Sequence, residues 1–290
     1  MTVARLGSFS AAAVELGYTQ AAISQQIAAL ESDLKVPLLN RRPVTPTEAG
    51  GRLLQHAEAI LLRLDVARAD VTRMTRAPSA SLVVGATPLA GGSAALPLAL
   101  SALRQRLPRL DVTVQVGTRD HVLTSVARGE LDVGLTDGLT APGDQLPEFA
   151  ALTAVCVSQV GIAVVLPTGH PLAGRASLRL TDLADARWIA APQVAAPLAE
   201  IRRLAGVEGF RPAFHYDGLD TLSLIKLAAA GHGLTLLPET ARPETALPET
   251  GIIAVPVTTP RVVHRVELMH GTLRERSPAA ELAALLAPRD

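Results

Sequence analysis

The sequence predicts an α/β protein preceded by a small all-α domain, a winged helix-turn-helix. Three observations support this prediction: short helical patterns with sharp stops fill the first 48 residues, one long helix with heptad spacing follows, and strands then alternate with helices. Such alternation implies right-handed crossovers and a mostly parallel sheet. We expect three regions, at residues 1–48, 49–77 and 78–290.

Composition limits the class of protein. The 290 residues are 48% hydrophobic and 19% charged, which is typical of a globular chain of about two or three domains. Aromatic residues make up only 2%, so binding of single-stranded nucleic acid by base stacking is disfavoured. The single cysteine, Cys156, excludes an intrachain disulfide and a cysteine-based metal site. Without a signal peptide or an apolar span, we expect a cytoplasmic protein with no membrane partner.

Charge alone does not identify a partner. The chain carries 27 basic and 27 acidic residues, so its formal net charge is zero. Residues 1–77 carry nine basic and seven acidic side chains, and so small an excess is weak evidence for a polyanionic partner. Where the basic residues lie matters more than their number.

Two short helices around a glycine turn occupy the first part of the chain. We expect one helix over about residues 11–16 and a second over about residues 20–34. Their end signals are typical of helix caps and stops: Ser8 or Ser10 and Thr19 at the starts, and Gly17 at the first end. Two short helices joined by a tight turn form a helix-turn-helix.

The second helix has an apolar and a polar face. Ile23, Ile27 and Leu30 recur at i, i+4 and i+7, so we expect them to be buried. The opposite face carries small and hydrogen-bonding side chains: Gln20, Ala21, Ser24, Gln25 and Ala28. Glutamine can bond an adenine edge twice, serine can bond base edges or phosphates, and alanine can touch thymine methyls. This face suits a helix in the major groove, and an ordinary solvent-facing helix is the alternative.

An extended segment with two arginines follows. Residues 40–47 contain two prolines, which oppose helix formation. We expect a wing from which Arg41 and Arg42 reach phosphates or the minor groove. A solvated turn is the alternative.

A long helix then begins at Thr47 and runs to about Ala77, where Pro78 begins a linker. Its apolar residues are spaced alternately by four and three positions, and we call them the seam: Leu53, Ala57, Ile60, Leu64, Ala67, Val71 and Met74. A rod of about 45 Å with one narrow apolar stripe needs a partner helix. We therefore predict a homodimer or homotetramer, with docking on the chain's own core as the alternative.

The remainder alternates strands with helices. We expect strands near residues 82–86, 112–116, 131–135, 161–166, 188–191, 213–217, 233–237, 252–257 and 262–269, and helices near 94–106, 119–128, 219–230 and 279–286. An acidic loop over residues 137–149 should separate two lobes. We place the first lobe at about 80–157 and 263–290, and the second at about 158–262.

Four segments resemble the LysR-type transcriptional regulators. They are GSFSAAAVELGYTQAAISQQIAALESDLKVPLLNR from Gly7, TPTEAG from Thr45, GELDVGL from Gly129 and GHGLTLLPE from Gly231. The resemblance covers nearly the whole chain. It implies a winged helix-turn-helix, a dimerising linker helix and an effector domain of two lobes like those of periplasmic binding proteins. It also implies double-stranded promoter DNA, a small-molecule effector and RNA polymerase as partners.

The resemblance places base contacts at Gln20, Ala21, Ser24 and Gln25, with Thr19 beside them. Ala21 stands where proline is usual in the family, and Gln25 where arginine is usual. An amide in place of a guanidinium should change the preferred operator and soften the salt dependence. The first helix of the family is shortened here, so we expect the native start to lie upstream of Met1.

Ligands of two-lobed α/β proteins bind beyond the carboxyl ends of strands, beside helix N-termini. The candidates at such positions are Thr87, Pro88, Thr118, Asp137, Gln193, Gly218 and Thr221. Capping of their own helices is the alternative role. Helix N-termini favour a small carboxylate, although the sequence offers few cations there.

Enzymatic motifs are absent from the sequence. There is no H-E-x-x-H, G-x-S-x-G, P-loop or G-x-G-x-x-G pattern, so we expect no enzyme, no metal and no cofactor. His215 and Asp217 could form an acid–base pair on one strand, but we favour a core or ligand-contacting histidine. Cys156 reads as a buried small residue rather than a redox sensor. A solute-binding protein that has lost DNA binding is the alternative function.

Overall fold

The computed structural model describes most of the chain. The described stretches are residues 1–75, 81–149, 152–241 and 251–288. The chain divides into two compact units, Met1–Asp65 and Val66–Asp290. The predicted end of the long helix at Ala77 and the predicted linker at Pro78 lie outside the described residues.

The first unit contains three helices, a two-stranded wing and the beginning of a long fourth helix. The bounds are α1 Thr2–Leu6, α2 Phe9–Leu16, α3 Gln20–Leu34, β1 Leu39–Arg41, β2 Val44–Pro46 and α4 Glu48–Thr75. Ser8, Thr19 and Thr47 each accept a hydrogen bond on the hydroxyl oxygen from a backbone N–H in the first turn of the following helix. Gly17 ends α2 in the left-handed conformation, with φ 70°. The predicted helix-turn-helix and wing are therefore confirmed.

The core of the first unit is small. Helices α1 and α2 and the wing enclose Ile23, which is buried, and Ile27, which is half-buried. The prediction that Leu30 is buried is wrong, because this core ends at Ile27 and leaves Leu30 41% exposed.

The second unit carries the α/β part. Its strands are β3 Ser81–Ala86, β4 Asp111–Val116, β5 Val133–Thr140, β6 Thr153–Pro167, β7 Leu178–Arg179, β8 Trp188–Ala190, β9 Pro212–His215, β10 Thr235–Pro238, β11 Ile252–Thr259 and β12 Val263–His270. Its helices are α5 Pro88–Gly91, α6 Ala95–Arg106, α7 Arg119–Arg128, α8 Leu198–Ala205, α9 Thr221–Ala229 and α10 Pro278–Leu286, with 3-10 turns at Leu180–Leu183 and Glu239–Ala241.

The main sheet is mixed rather than mostly parallel. Its order is β4-β3-β5-β12-β6-β11-β7, with β10 also on β6, and β8 pairs β9 in a separate two-stranded sheet. Strand β3 is parallel to β4 and β5, whereas β6 is antiparallel to β10, β11 and β12. The expected parallel sheet is wrong because β6 and the β11–β12 segment run through both lobes in opposite directions.

Each lobe has its own core. Side chains of β3, β5, β12, α6 and α10 form the first, and those of β6, β8, β10, β11, α8 and α9 contribute to the second. The second includes Trp188, whose ring lies 5.4 Å from that of Phe210, centroid to centroid. Among the described helices, none has the length and apolar character needed to cross a membrane.

Two elements differ from expectation in ways that shape the site. The predicted loop at residues 137–149 begins later, because β5 continues to Thr140 in register with β12. Asp137 therefore lies on a strand, opposite Val266. Helix α8 was not expected, since its N-cap is Pro197 and no side chain caps it.

Candidate nucleic-acid interface and ligand cleft

The polar face of α3 is accessible to a partner. Thr19, Gln20, Ala21 and Gln25 are exposed, and Ser24 is half-buried. The Ser10 hydroxyl donates a hydrogen bond of 3.0 Å to the Gln20 amide oxygen, which orients that side chain. The residues for which base contacts were predicted thus lie together at the amino-terminal end of α3.

The wing brings two arginines to its tip. Leu39 pairs with Pro46 and Arg41 with Val44, so Arg41 ends β1 and Arg42 begins the turn. Both arginines are exposed. Arg41 donates from Nη2 to an oxygen of Glu31 at 2.9 Å. Arg42 therefore differs from Arg41, whose guanidinium is already engaged.

Glu31 connects the wing to α3. Its Oε1 accepts hydrogen bonds from the backbone N–H groups of Leu38 and Leu39, at 2.8 and 3.1 Å. Its Oε2 holds Arg41, whose guanidinium also lies 5.2 Å from the centre of the Phe9 ring. The pKa of Glu31 is held below its ordinary value, and the largest cause is the backbone hydrogen bond from Leu38.

The seam of α4 is largely uncovered. Ile60, Val71 and Met74 are 65%, 63% and 71% exposed, Leu64 and Ala67 are exposed, and Leu53 and Ala57 are half-buried. Apolar side chains at helical spacing in solvent are typical of a surface that a partner covers.

A different face of α4 docks within the second unit. Val66 and Ala69 are buried, and the Asp70 carboxylate accepts hydrogen bonds from the Thr272 hydroxyl and N–H, at 2.9 and 3.1 Å. Arg73 donates from Nη2 to the Val126 carbonyl oxygen at 3.1 Å. Docking on the chain's own fold therefore uses residues other than the seam.

A cavity of about 470 Å³ lies within the second unit and draws lining residues from both lobes. Thr87, Thr118, Asp137 and Gln193 are among its lining residues, so four of the seven candidates meet there. We call this cavity the cleft. A volume of several hundred Å³ is typical of small-molecule sites.

The other three candidates, Pro88, Gly218 and Thr221, are not among the described lining residues. The backbone N–H groups at the start of α9 already have an acceptor. The Asp220 carboxylate accepts hydrogen bonds from the Leu222 and Ser223 N–H groups at 3.2 and 2.8 Å. Such a capped helix start has fewer free donors for a ligand.

Asp137 is the centre of a polar network in the cleft. Its Oδ1 accepts a hydrogen bond from the Thr87 hydroxyl, and its Oδ2 lies 2.7 Å from Nε2 of His264. Thr87 follows β3 and His264 lies on β12, so three strands contribute. Thr118, by contrast, caps α7 by accepting the His121 N–H at 3.2 Å.

Sequence reasoning missed three charged residues of the cleft, Arg119, Asp120 and Glu200. Arg119 is the first residue of α7 and lines the cleft, so a cation is present there after all. Its Nη2 is buried and has no hydrogen-bond partner among the described residues. Glu200, on α8, lines the cleft from the other lobe. Burial is the main cause that raises the pKa of its carboxyl, and the nearby Arg203 and Arg119 act in the opposite direction.

The remaining chemical candidates do not form a catalytic constellation. Strand β9 ends at His215, both His215 and Asp217 are exposed, and Asp217 lies beyond the strand. The expected core position of His215 is therefore wrong, and His215 is not among the described residues that line the cleft. Cys156 is half-buried on β6.

Family models match both units. Residues 1–51 match the bacterial regulatory helix-turn-helix protein of the lysR family, and residues 75–286 match the LysR substrate binding domain. The second match alone covers more than half of the chain. The motifs named from the sequence lie within these two ranges.

Individual proteins agree with the family models. A probable hydrogen peroxide-inducible genes activator of Mycobacterium leprae is 30% identical over 83% of this chain and 76% of its own length. Full-length CbnR complexed with its target DNA matches with a TM-score of 0.56 and 23% identity, over 98% of this chain and 95% of that one. The BenM effector binding domain with benzoate matches with a TM-score of 0.57 and 18% identity, over 71% and 90%. The chain therefore belongs to the LysR family and is a DNA-binding transcriptional regulator with an effector-binding domain.

Proposed function

We propose that this regulator works as a homo-oligomer in which paired α3 helices read an interrupted inverted repeat. The exposed seam of α4 carries the proposal, because Ile60, Val71 and Met74 leave an apolar stripe in water unless a second copy covers them. Two helix-turn-helix domains, one from each copy and joined through this apolar stripe, would bind two half-sites on one duplex. In this scheme residues 1–48 read DNA, 49–77 pair the copies and 78–290 bind the effector.

The base contacts are assigned to Gln20, Ala21, Ser24 and Gln25. Their exposure at one end of α3 supports the assignment, because the first residues of a recognition helix approach the base edges. Thr19 and the wing would contact the backbone. We expect Arg42 to contribute more than Arg41 to phosphate binding, because the charge of Arg41 is partly neutralised by its ion pair with Glu31.

The cleft would hold the effector. It is lined by residues of both lobes, so a bound molecule can favour one arrangement of the lobes over another. The free energy by which it does so equals the difference between its binding free energies for the two arrangements. The buried and unpartnered Nη2 of Arg119 supports a ligand with an anionic group, such as a carboxylate. Catalysis has no part in this mechanism.

A double substitution on α3 tests the reading face. Ser24→Ala with Gln25→Ala should lower affinity for the operator about 30-fold or more, since two base contacts of about 1–3 kcal/mol each are lost. Binding to random duplex should change little, and sedimentation should show the same oligomer. Ser101→Ala with Gln105→Ala, two exposed positions on α6, is the matched control. Unchanged operator footprints with the first pair would refute the assignment.

A cavity-filling variant tests the effector role of the cleft. A small-molecule extract of the producing cells should alter the footprint of the wild-type protein. Ala195→Trp, which fills the cleft, should abolish that response, while Ala176→Trp on an exposed loop should keep it. A response that survives Ala195→Trp places the effector elsewhere. Failure of the protein to bind any genomic fragment would favour a solute-binding protein that has lost DNA binding.

A further inference from the structure

The cleft is unusual in the mixture of charges that face it. Arg119 is the only arginine or lysine among its described lining residues, whereas Asp120, Asp137 and Glu200 contribute three carboxyl groups. His264 is the remaining titratable group and is already paired with Asp137 at 2.7 Å. A purely cationic or purely anionic ligand would leave part of this set without a partner.

Arg119 defines an anion subsite. Its Nη2 is buried and lacks any acceptor among the residues described, and a guanidinium N–H in that state is costly. The residue begins α7, a helix of 10 residues, so the positive end of the helix dipole faces the same place. A carboxylate on the ligand would satisfy both.

The carboxyl groups define a second subsite. Glu200 and Asp137 line the same cavity of about 470 Å³ as Arg119, so the three groups lie within reach of one small molecule. Burial, and to a smaller extent the neighbouring Asp137, oppose ionisation of Glu200 and raise the pKa of its carboxyl. An ammonium group would relieve this repulsion, whereas a second anion would increase it.

The walls between these groups are apolar. The side chains that form them are Leu89, Leu139, Leu146, Ile162, Val194 and Leu236. A cavity of about 470 Å³ has room for one hydrocarbon or aromatic side chain beside the two polar ends of a small ligand.

We infer that the effector is an amino acid, or a close derivative, whose carboxylate binds Arg119, whose ammonium group binds Asp137 and Glu200, and whose side chain is apolar. This inference rests on the proposed effector role of the cleft. It makes Arg119 and Glu200, on different lobes, the residues that determine which molecules bind.

The contributions of the ligand's ammonium and carboxylate groups can be measured separately with three forms of each amino acid, because the N-acetyl form lacks the ammonium group and the amide lacks the carboxylate. We would measure calorimetric binding to the full-length protein of L-valine, L-leucine, L-methionine, L-phenylalanine and L-tryptophan, each also as its N-acetyl derivative and as its amide. At least one free amino acid should bind 10-fold or more tightly than both of its derivatives. Equal or tighter binding of the N-acetyl form, or binding of none, overturns the inference.

Two variants test the subsites in opposite directions. Arg119→Met should remove the preference for the free amino acid over its amide, and Glu200→Gln should remove its preference over the N-acetyl form. A merely structural role would weaken all three forms together. Arg175→Met and Glu208→Gln, at exposed positions outside the cleft, serve as matched controls and should change neither ratio.

The two levels of the proposal fail separately. If the extract changes the footprint and Ala195→Trp abolishes the response while no amino acid binds, the cleft is an effector site and the ligand class is wrong. If neither the extract nor any amino acid acts on the wild-type protein, the effector role itself is wrong.

Discussion

Arg41 and Glu31 form an ion pair of 2.9 Å that joins the wing to the end of the recognition helix. The same carboxylate accepts the N–H groups of Leu38 and Leu39 at the start of β1. One side chain of α3 therefore fixes both the path of the chain into the wing and the direction of its first arginine. The position of the wing relative to the reading face depends on this contact.

Replacement of Glu31 should change the pH dependence of stability. The pKa of Glu31 is lowered in the folded state, chiefly by the hydrogen bond from Leu38, from an ordinary value of 4.5. Its contribution is therefore present above that value and is lost as the pH falls through the lower folded pKa. Glu31→Gln should destabilise the protein at pH 7 and destabilise it less at pH 3, as measured by urea unfolding.

The control for this prediction is Glu58→Gln, an exposed position on α4. Its unfolding free energy should stay close to that of the wild type at both pH values. A loss for Glu31→Gln that is equal at pH 7 and pH 3 would mean that its charge has no role.

The two wing arginines should differ in the salt dependence of DNA binding. Each phosphate contact contributes about 0.9 to the slope of log affinity against log salt concentration. Arg42→Ala should reduce the slope by about that amount, whereas Arg41→Ala should reduce it less, because Glu31 already balances part of its charge. Binding titrations from low to moderate salt give both slopes. A larger reduction for Arg41→Ala would reverse the assignment.

The seam predicts that one charge is enough to separate the copies. Leu64 is 43% exposed at the middle of the seam, and a carboxylate there would be buried against its partner without a counter-ion. Leu64→Glu should therefore sediment as a monomer at concentrations where the wild type is oligomeric. Arg63→Glu, at the neighbouring exposed position off the seam, should leave the oligomer intact. Equal profiles for Leu64→Glu and the wild type would count against the seam.

Features that depend on neighbouring residues could be predicted from the sequence. Thr19 starts α3 and Gly17 ends α2 because capping and left-handed stops act within one turn. The pairing of Asp137 with His264 could not be predicted, since 127 residues separate them and only the register of β5 on β12 brings them together. Glu200 was missed for the related reason that α8 has no cap signal of its own.

The same distinction explains the errors. Leu30 follows the helical period of a buried stripe, yet the period does not show how far the opposing core extends. The mixed sheet likewise follows from the long pairing of β6 with β12, which no local pattern specifies. Local patterns in the sequence were enough to predict helices and strands, whereas the residues of the site are brought together by strand pairing between distant parts of the chain.

Two adjacent glycines at the start of α4 should respond in opposite ways to the same substitution. A Cβ atom at Gly50 would lie 2.0 Å from the Leu38 carbonyl oxygen, whereas one at Gly51 would meet nothing within 4 Å. Gly51→Ala should raise the unfolding free energy by up to about 1 kcal/mol, because alanine favours a helix over glycine by that amount. Gly50→Ala should lower it and weaken DNA binding, since the backbone that leads into the wing must move. Thermal unfolding and operator titration of the two variants test this, and a gain in stability for both would show that α4 does not press on Leu38.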